Sequence, residues 1–446
     1  MDEKRLGQLQ ERLGTFLDEM TAGLGRQDRR RWAQTYVRGL LLDGDRKSAG
    51  AMAGRLAAVD RAERDYEQAL QQFLGASPWD DRPVRDALAR WAAGRADEGE
   101  EAGGIERFVV IDDTGFPKQG ERSVAVARQY SGTLGKVGNC QVAVTLQFAS
   151  QAGGSAAGEV VCLDAALYLP KGWAADAARC RAAGVPEGTA HRPKWELALE
   201  MLGRAKANGI GGLVLADADY GGNAAFRAGL EAQGWRYAVG IDSNTAVVGA
   251  GEDLGAVPPW PGVGPKPTRP QRVRDGTIRA VAAAGWASGH APDFRAVTWR
   301  QGSRGRMRGR FAAWRVRPAP GLSARQTPGQ ACWLLAEWPE GEAAPTKLYF
   351  SNLPTSTPLK RLVAAAKGRW WVEQSYQQMK EELGLDHFEG RSWRGWHHHV
   401  TLVMLAYAFL ASLRTPPPPA GKKGAAGITP PNAPTPNARP SRGSVV

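Results

Sequence analysis

The sequence predicts an α/β protein: a mixed-sheet core, preceded by a helical N-terminal domain and interrupted by a mainly-β insertion. Three observations predict it. The first hundred residues carry apolar side chains at three- and four-residue spacing, the period of a helix. From residue 107 the texture changes to β-branched runs, RFVVIDD, NCQVAVTLQF and GGLVLAD, with helical stretches between the later ones. Between 242 and 352 strand-and-turn texture rich in Pro, Gly, Trp and Arg returns, before helical pattern resumes.

In chain order, LGQLQERLGTFLDEMTAGL and RRRWAQTYVRGLL read as amphipathic helices. Two more helical stretches follow, and Pro78 with DDRP punctuates the path into VRDALARWAAG. This helical domain spans 1–100, and the acidic linker DEGEEAGG closes it. The core opens at 105–241 with RFVVIDD, VAVARQYS, NCQVAVTLQF and EVVCLDAALYL, neighbours suited to an antiparallel meander. RPKWELALEMLGRAKANG is a helix stopped at Gly209, GGLVLAD a strand, GGNAAFRAGLEAQG a short helix and WRYAVGI the strand after it. Four strands before any alternation exclude a dinucleotide-binding fold. The insertion, 242–352, has FRAVTWR, RFAAWRVRP, ACWLLAEWP and TKLYFSN as its clearest strands. The core resumes at 353–413. There TPLKRLVAAAKGRWWVEQSYQQMKEEL reads as one long helix, with Thr357 as its cap and Pro358 in its first position. A last helix runs from about 393 to 413, and 414–446, dense in Pro and Gly, reads as a disordered tail.

A hydrophobic content of 43% supports a substantial core. VTLVMLAYAFLASL at 400–413 is too short for a bilayer and reads as a buried helix. The first thirty residues mix acids and bases instead of carrying a signal peptide's apolar centre, so the expected location is cytoplasmic, with no membrane partner. Lys plus Arg number 58 against 45 Asp plus Glu, a net charge of +13 that favours a polyanionic partner. The coding bias of a GC-rich genome would raise the same count. Four cysteines without a C-x-x-C pair read as reduced core thiols.

Acids close two of the core strands. Asp112 and Asp113 end RFVVIDD, and strand periodicity sends one to each face. Asp113 has two readings: cap of the Asp-Thr-Gly turn, or metal ligand on a rigid element. Asp217 ends GGLVLAD with Asp219 just beyond, at the kind of strand end where ligand-binding groups collect, although either acid could cap the following turn. Arg369, Glu373 and Lys380 are four and seven residues apart, which places them on one helix side with Tyr376 and Gln377 nearby. A wet Arg–Glu pair is worth only ~0.3–0.5 kcal/mol; Trp370, Trp371 and Val372 around Glu373 argue for a packed helix. In WRQGSRGRMRGRFAAW, Arg300, Arg304, Arg306, Arg308 and Arg310 lie among Trp299, Phe311 and Trp314. They form either a solvated basic loop or a backbone-plus-base grip on nucleic acid. Lys118 is either a phosphate contact or a wet loop residue, and Asp386 with His387 either caps a helix or supports the acids. His397, His398 and His399 fan around ~200° of a helix and cannot meet one zinc ion.

These residues resemble the DDE-type transposases of bacterial insertion sequences, in the group with a Y-x-x-R-x-x-x-E-x-x-x-x-x-x-K signature. Arg369, Glu373 and Lys380 keep both spacings, and Ala366 stands where the tyrosine falls. IDDTGFPKQG matches the family's first acid at Asp113, LADADYGG the second at Asp217, and GLDHFEGRSWRGWHHH the continuation after the Glu helix. The likeness extends from the helical start, including YVRGLLLDGDRKS at 36–48, to about residue 413. It implies an RNase H-like core in which Asp113, Asp217 and Glu373 are catalytic and hold two Mg²⁺ ions, with Mn²⁺ as a substitute. Cleavage at element ends and strand transfer by a cut-and-paste route, through a hairpin, would follow. The implied partners are double-stranded DNA, as transposon ends and target, and a second copy in a synaptic homodimer at the nucleoid. DNA contacts are expected from Arg369, Lys380, Tyr376, Lys118 and the five insertion arginines. The rivals are a non-catalytic DNA-binding regulator derived from a transposase, another RNase H-like nuclease, and a structural nucleoid protein.

Overall fold

Five helices open the chain because its early apolar residues recur on one face of each. They are α1 (Glu3–Thr21), α2 (Gln27–Leu41), α3 (Ala49–Asp60), α4 (Tyr66–Gly75) and α5 (Arg82–Glu100). Leu17, Met20, Val37, Leu40, Met52 and Leu70 on those faces are wholly buried. Asp65 caps α4 by accepting from Gln68 N at 2.9 Å. The computed structural model describes residues 3–60, 65–100, 106–151, 159–302, 305–319 and 328–414. The proline-rich tail and Arg304 lie outside them. The five helices pack onto the rest, and Met1–Pro416 cluster as one compact unit.

The core begins with β1 (Glu106–Pro117), β2 (Ala127–Ser131), β3 (Lys136–Gln151) and β4 (Glu159–Leu167). Helices α6 (Lys171–Ala174), α7 (Ala177–Ala182) and α8 (Lys194–Ala207) lead to β5 (Leu213–Ala216), then α9 (Ala218–Gly221), α10 (Ala224–Ala232) and β6 (Arg236–Ile241). β1 pairs antiparallel with β3, which pairs antiparallel with β4 and β2. On its other edge β1 pairs parallel with β5, and β5 parallel with β6. The order β4-β3-β1-β5-β6, a meander followed by two parallel strands, is the RNase H-like arrangement.

The insertion contributes β7 (Ala246–Gly249), α11 (Gln271–Arg274), β8 (Val281–Ala282), α12 (Ala283–Gly289), β9 (Arg295–Gly302), β10 (Gly305–Pro318), β11 (Cys332–Glu337) and β12 (Lys347–Ser351). It is not a sheet apart. β12 pairs with β6, and β11, β10, β7 and β8 follow outward, so the described core and insertion share one twelve-stranded sheet. β9 folds back on β10 as a hairpin.

The expected long helix is broken. It divides into α13 (Leu359–Lys367), a tight 3₁₀ turn at Gly368–Trp370 and α14 (Trp371–Glu381), with α15 (Trp393–Arg414) after it. A Cβ on Gly368 would stand 3.0 Å from Leu215 and 3.2 Å from the Phe108 ring, so the chain approaches the sheet closely there and any side chain would require those two to shift. Pro358, not Thr357, holds the cap position of α13, and no side chain bonds there. The two sheet faces are covered differently. Val109 and Ile111 belong to the main apolar cluster, which also holds the buried Val400–Ala408 stretch of α15. Phe108, Val110, Leu215 and Ala238 pack against Ala365 of α13 and Val372 of α14. No described helix is long and apolar enough to cross a membrane.

Candidate active site

The carboxyl ends of β1 and β5 lie side by side, and register decides which acids face each other. Val110 pairs with Leu215, and continuing by two residues sets Asp112 beside Asp217. Side chains alternate faces along a strand. Asp112 and Asp217 therefore share the face of Val110 and Leu215, the one that α13 and α14 cover. Both acids, with Glu373 of α14, line one cavity of about 500 Å³. Asp113 turns to the opposite face. There its two oxygens accept from Lys194 Nζ, at the start of α8, and from the Tyr220 hydroxyl. The acid that lines the cavity with Asp217 and Glu373 is thus Asp112, whereas the motif match had placed Asp113 there; Asp113 still lies close enough to Asp217 to push its pKa up.

Arg369 joins the two aspartates. Its Nη2 donates to Asp112 Oδ1 at 2.8 Å and lies 3.6 Å from Asp217 Oδ2. Burial pushes the Asp112 carboxyl up to about 6; Arg369 opposes that rise and Asp217 adds to it. Asp217 is also raised by burial, against the pull of Arg369. Its side chain additionally caps α9 by accepting from Asp219 N at 3.1 Å. Arg369 Nε is buried without a hydrogen-bond partner, so the guanidinium has a donor these acids do not use.

Glu373 is exposed in the first turn of α14, and polar contacts inside the protein fix that helix. The Ser375 hydroxyl donates to Gln147 Oε1, and the hydroxyls of Tyr376 and Thr145 bond each other. Thr145 is the register partner of Asp112 and reaches its carbonyl at 3.4 Å. One rung of the sheet therefore carries an acid and tethers the helix bearing another. The sequence held a signal for this: Thr145 and Gln147 interrupt the otherwise apolar run of β3.

The other residues expected at the site divide. Tyr376 has its hydroxyl engaged inside the protein, as above. Lys380 Nζ donates to Gly115 O at 3.0 Å and to Thr133 Oγ1 at 3.1 Å, fastening α14 to the end of β1. Lys118 Nζ donates to Phe388 O at 2.9 Å. None of these three lines the cavity. The Arg300 guanidinium lies 3.8 Å over the ring of Trp370, which brings β9 to the cavity rim. Arg306, Arg308 and Arg310 are exposed along β10. Trp299 and Phe311 meet edge to face at 5.4 Å beneath Lys367, so they belong to the apolar packing and not to an open base-stacking surface. His398 and His399 are buried and bonded to protein groups. Lys347, Lys367 and Tyr349 line the cavity although no motif marked them.

Three carboxylates offer the hard oxygen donors that suit Mg²⁺ or Mn²⁺ better than zinc. The three side chains line one cavity but are not gathered around one point. Among the described residues no three His, Cys, Asp or Glu are close enough to hold one ion. The cation touching both aspartates is the Arg369 guanidinium, which must yield for an ion to enter.

A family model described as DDE superfamily endonuclease matches residues 19–306, which include Asp112 and Asp217. A curated relative, the probable transposase for insertion sequence element IS701 of Microchaete diplosiphon, is 31% identical over 186 residues. That match covers 40% of this chain and 42% of the relative's length. Among solved structures, the piggyBac transposase synaptic complex with hairpin DNA is similar at a TM-score of 0.38 and 10% identity, over 87% of this chain and 66% of that one.

Proposed function

Because the chain belongs to the DDE superfamily of endonucleases, we propose that it is an insertion-sequence transposase whose catalytic acids are Asp112, Asp217 and Glu373. The observation that supports this reading is that those three carboxylates line one cavity, where Arg369 bridges two of them. A protein that only bound DNA would gain nothing from acids where phosphates must lie, unless a cation offsets them. Asp112 and Asp217, on adjacent strands, would hold divalent ions, with Glu373 closing from α14. Such ions, Mg²⁺ or Mn²⁺, would lower the pKa of the attacking water or 3′-hydroxyl and stabilise the leaving oxygen.

The chain's own residues supply the rest. Arg369, displaced from the aspartates, would offer its unused Nε and its Nη groups to a backbone phosphate. Asp113 keeps Lys194 and Tyr220 in place behind the strand, and Tyr220 belongs to the short helix that Asp217 caps. The insertion from 242 to 352 holds 15 Lys plus Arg against 8 Asp plus Glu, a surplus suited to duplex DNA running over β9 and β10. The cut-and-paste route, strand transfer to target DNA, a synaptic homodimer and a place at the nucleoid are supported by the family resemblance.

The test uses the purified chain and a linear duplex carrying the DNA that flanks its reading frame. With Mg²⁺ or Mn²⁺ it should nick at the element ends and join them to a second duplex; chelation should abolish both. Binding without cleavage in either ion would leave a DNA-binding regulator. Preferential cutting of an RNA–DNA hybrid would point to a different nuclease on the same core.

A further inference from the structure

We infer that Tyr349 is a DNA-contact residue of this cavity, its hydroxyl donating to a non-bridging oxygen of a backbone phosphate held against the wall beyond Asp217. The inference rests on the cavity being the phosphodiester site, and its argument begins with register. Leu215 pairs with Ala238 and Ala216 with Val239, so the next rung sets Asp217 beside Gly240. Gly240 in turn pairs with Tyr349 of β12. Asp112, Asp217, Gly240 and Tyr349 thus occupy one rung across four neighbouring strands. The alternation that puts the two aspartates under α13 and α14 puts Tyr349 on the same face.

Gly240 makes that alignment useful. A side chain there would crowd the backbone of Asp217 and Ala218, since a Cβ would lie 3.0 Å from Ala218 N. Gly240 itself lines the cavity between the acids and the tyrosine and puts no side chain into it. Neighbouring strands lie ~4.8 Å apart, so two steps separate Tyr349 from Asp217 by about 10 Å, a span that a bound phosphate and the phenol can fill. Tyr349 packs its ring on the cluster of Leu335, Leu362, Val363 and Ala366 while facing the cavity. Ala366, the position where the family signature has tyrosine, lines the same wall with only a methyl group.

Among the described residues the hydroxyl makes no hydrogen bond inside the protein. Burial pushes its pKa up to about 12, against Arg369, so at neutral pH it is a donor. Arg369, Lys347 and Lys367 line the same cavity as Asp112, Asp217, Asp242 and Glu373, so a phosphate would enter with the divalent cations that offset those acids.

The experiment compares the wild type with Tyr349→Phe, which keeps the ring and its packing. Equilibrium binding in Ca²⁺ and single-turnover cleavage in Mn²⁺ are measured on the duplex with flanking DNA. Each phosphate near the cut is replaced in turn by a methylphosphonate, which removes the charged oxygen. Tyr349→Phe should lose about tenfold in affinity or rate, the effect of one hydrogen bond to a charged group. One particular methylphosphonate should cost the wild type about tenfold and the variant nothing more. A variant equal to wild type, or one equally impaired at every substituted phosphate, overturns the inference. A wild type that binds but does not cleave removes the nuclease reading while the binding scan still scores Tyr349. A wild type that does not bind defeats both.

Discussion

Exchanging the two adjacent aspartates for asparagine, one at a time, should separate chemistry from stability in opposite directions. Asp112 is raised from 3.8 to about 6 in the fold, a change of ~2 units or ~3 kcal/mol. The folded value lies above the unfolded one, so the protonated form favours folding and that advantage is lost as pH rises through about 6. At pH 7.5 the ionised group therefore costs the metal-free fold about 3 kcal/mol relative to a neutral side chain. Asp112→Asn should leave thermal stability in chelator unchanged or raise it by up to about that amount, while cleavage falls at least ~10³-fold with a missing metal ligand. Asp113→Asn should behave in reverse. Lys194 and Tyr220 both donate to Asp113, and an amide returns one acceptor and one clashing donor. Stability should drop by ~1–3 kcal/mol, whereas cleavage should fall only ~10–100-fold, as for groups that orient a metal site from behind. Thermal unfolding in EDTA and single-turnover cleavage in Mn²⁺ read the two quantities. An inactive Asp113→Asn beside an active Asp112→Asn would refute the assignment drawn from register.

Three other outcomes are expected. Arg369→Ala leaves Asp112 and Asp217 without their shared cation, so metal-free stability should fall by ~1.5–3 kcal/mol and the thermal shift on adding Mn²⁺ should grow; a smaller shift than wild type would contradict the placement of that guanidinium. Gly368→Ala should push on Leu215 and Phe108, costing ~1–3 kcal/mol in a urea titration and lifting the Glu373 helix enough to slow cleavage; no effect on either would show that the close approach is unimportant. His399 accepts from the Tyr36 hydroxyl and donates to Gly384 O when neutral, and burial lowers its pKa to about 4. Its contribution is present above 6.5 and lost as pH falls through 4, up to ~3 kcal/mol, so the urea midpoint of His399→Gln should depend less on pH across that window.

Much of the core was legible because its signals are local. RFVVIDD and GGLVLAD became the parallel pair β1 and β5, and EVVCLDAALYL became β4, since buried strands read as apolar runs. The break at 368–370 was not legible. One glycine inside a helical pattern costs only ~1 kcal/mol, and the reason for it, the approach to Leu215 and Phe108, comes from residues far away in sequence. Lys380 shares a side of α14 with Glu373 but lies two turns, about 10 Å, further along the axis, which takes its Nζ to Gly115 and away from the cavity. The insertion's strands could be named but not their attachment, because β6 and β12 meet across more than a hundred residues.

The aspartate pair shows the limit most plainly. Alternation says that Asp112 and Asp113 face opposite ways, but no local pattern says which face receives the helix bearing Glu373. That choice is made by Val110, Leu215, Ala238 and Val372, apolar residues from separate elements whose packing closes one side of the sheet. Two carboxylates in the resulting cavity would repel each other, and burial makes the repulsion harder to screen. Arg369 answers it with one positive charge, and a divalent ion would answer it with two. Whatever occupies the aspartates in place of the arginine also frees a planar, permanently charged donor whose Nε is already unpaired. Under the proposed function, cation entry and phosphate capture would be coupled by charge balance at a single side chain, and the arginine belongs beside the Glu helix for electrostatic reasons that hold before any DNA arrives.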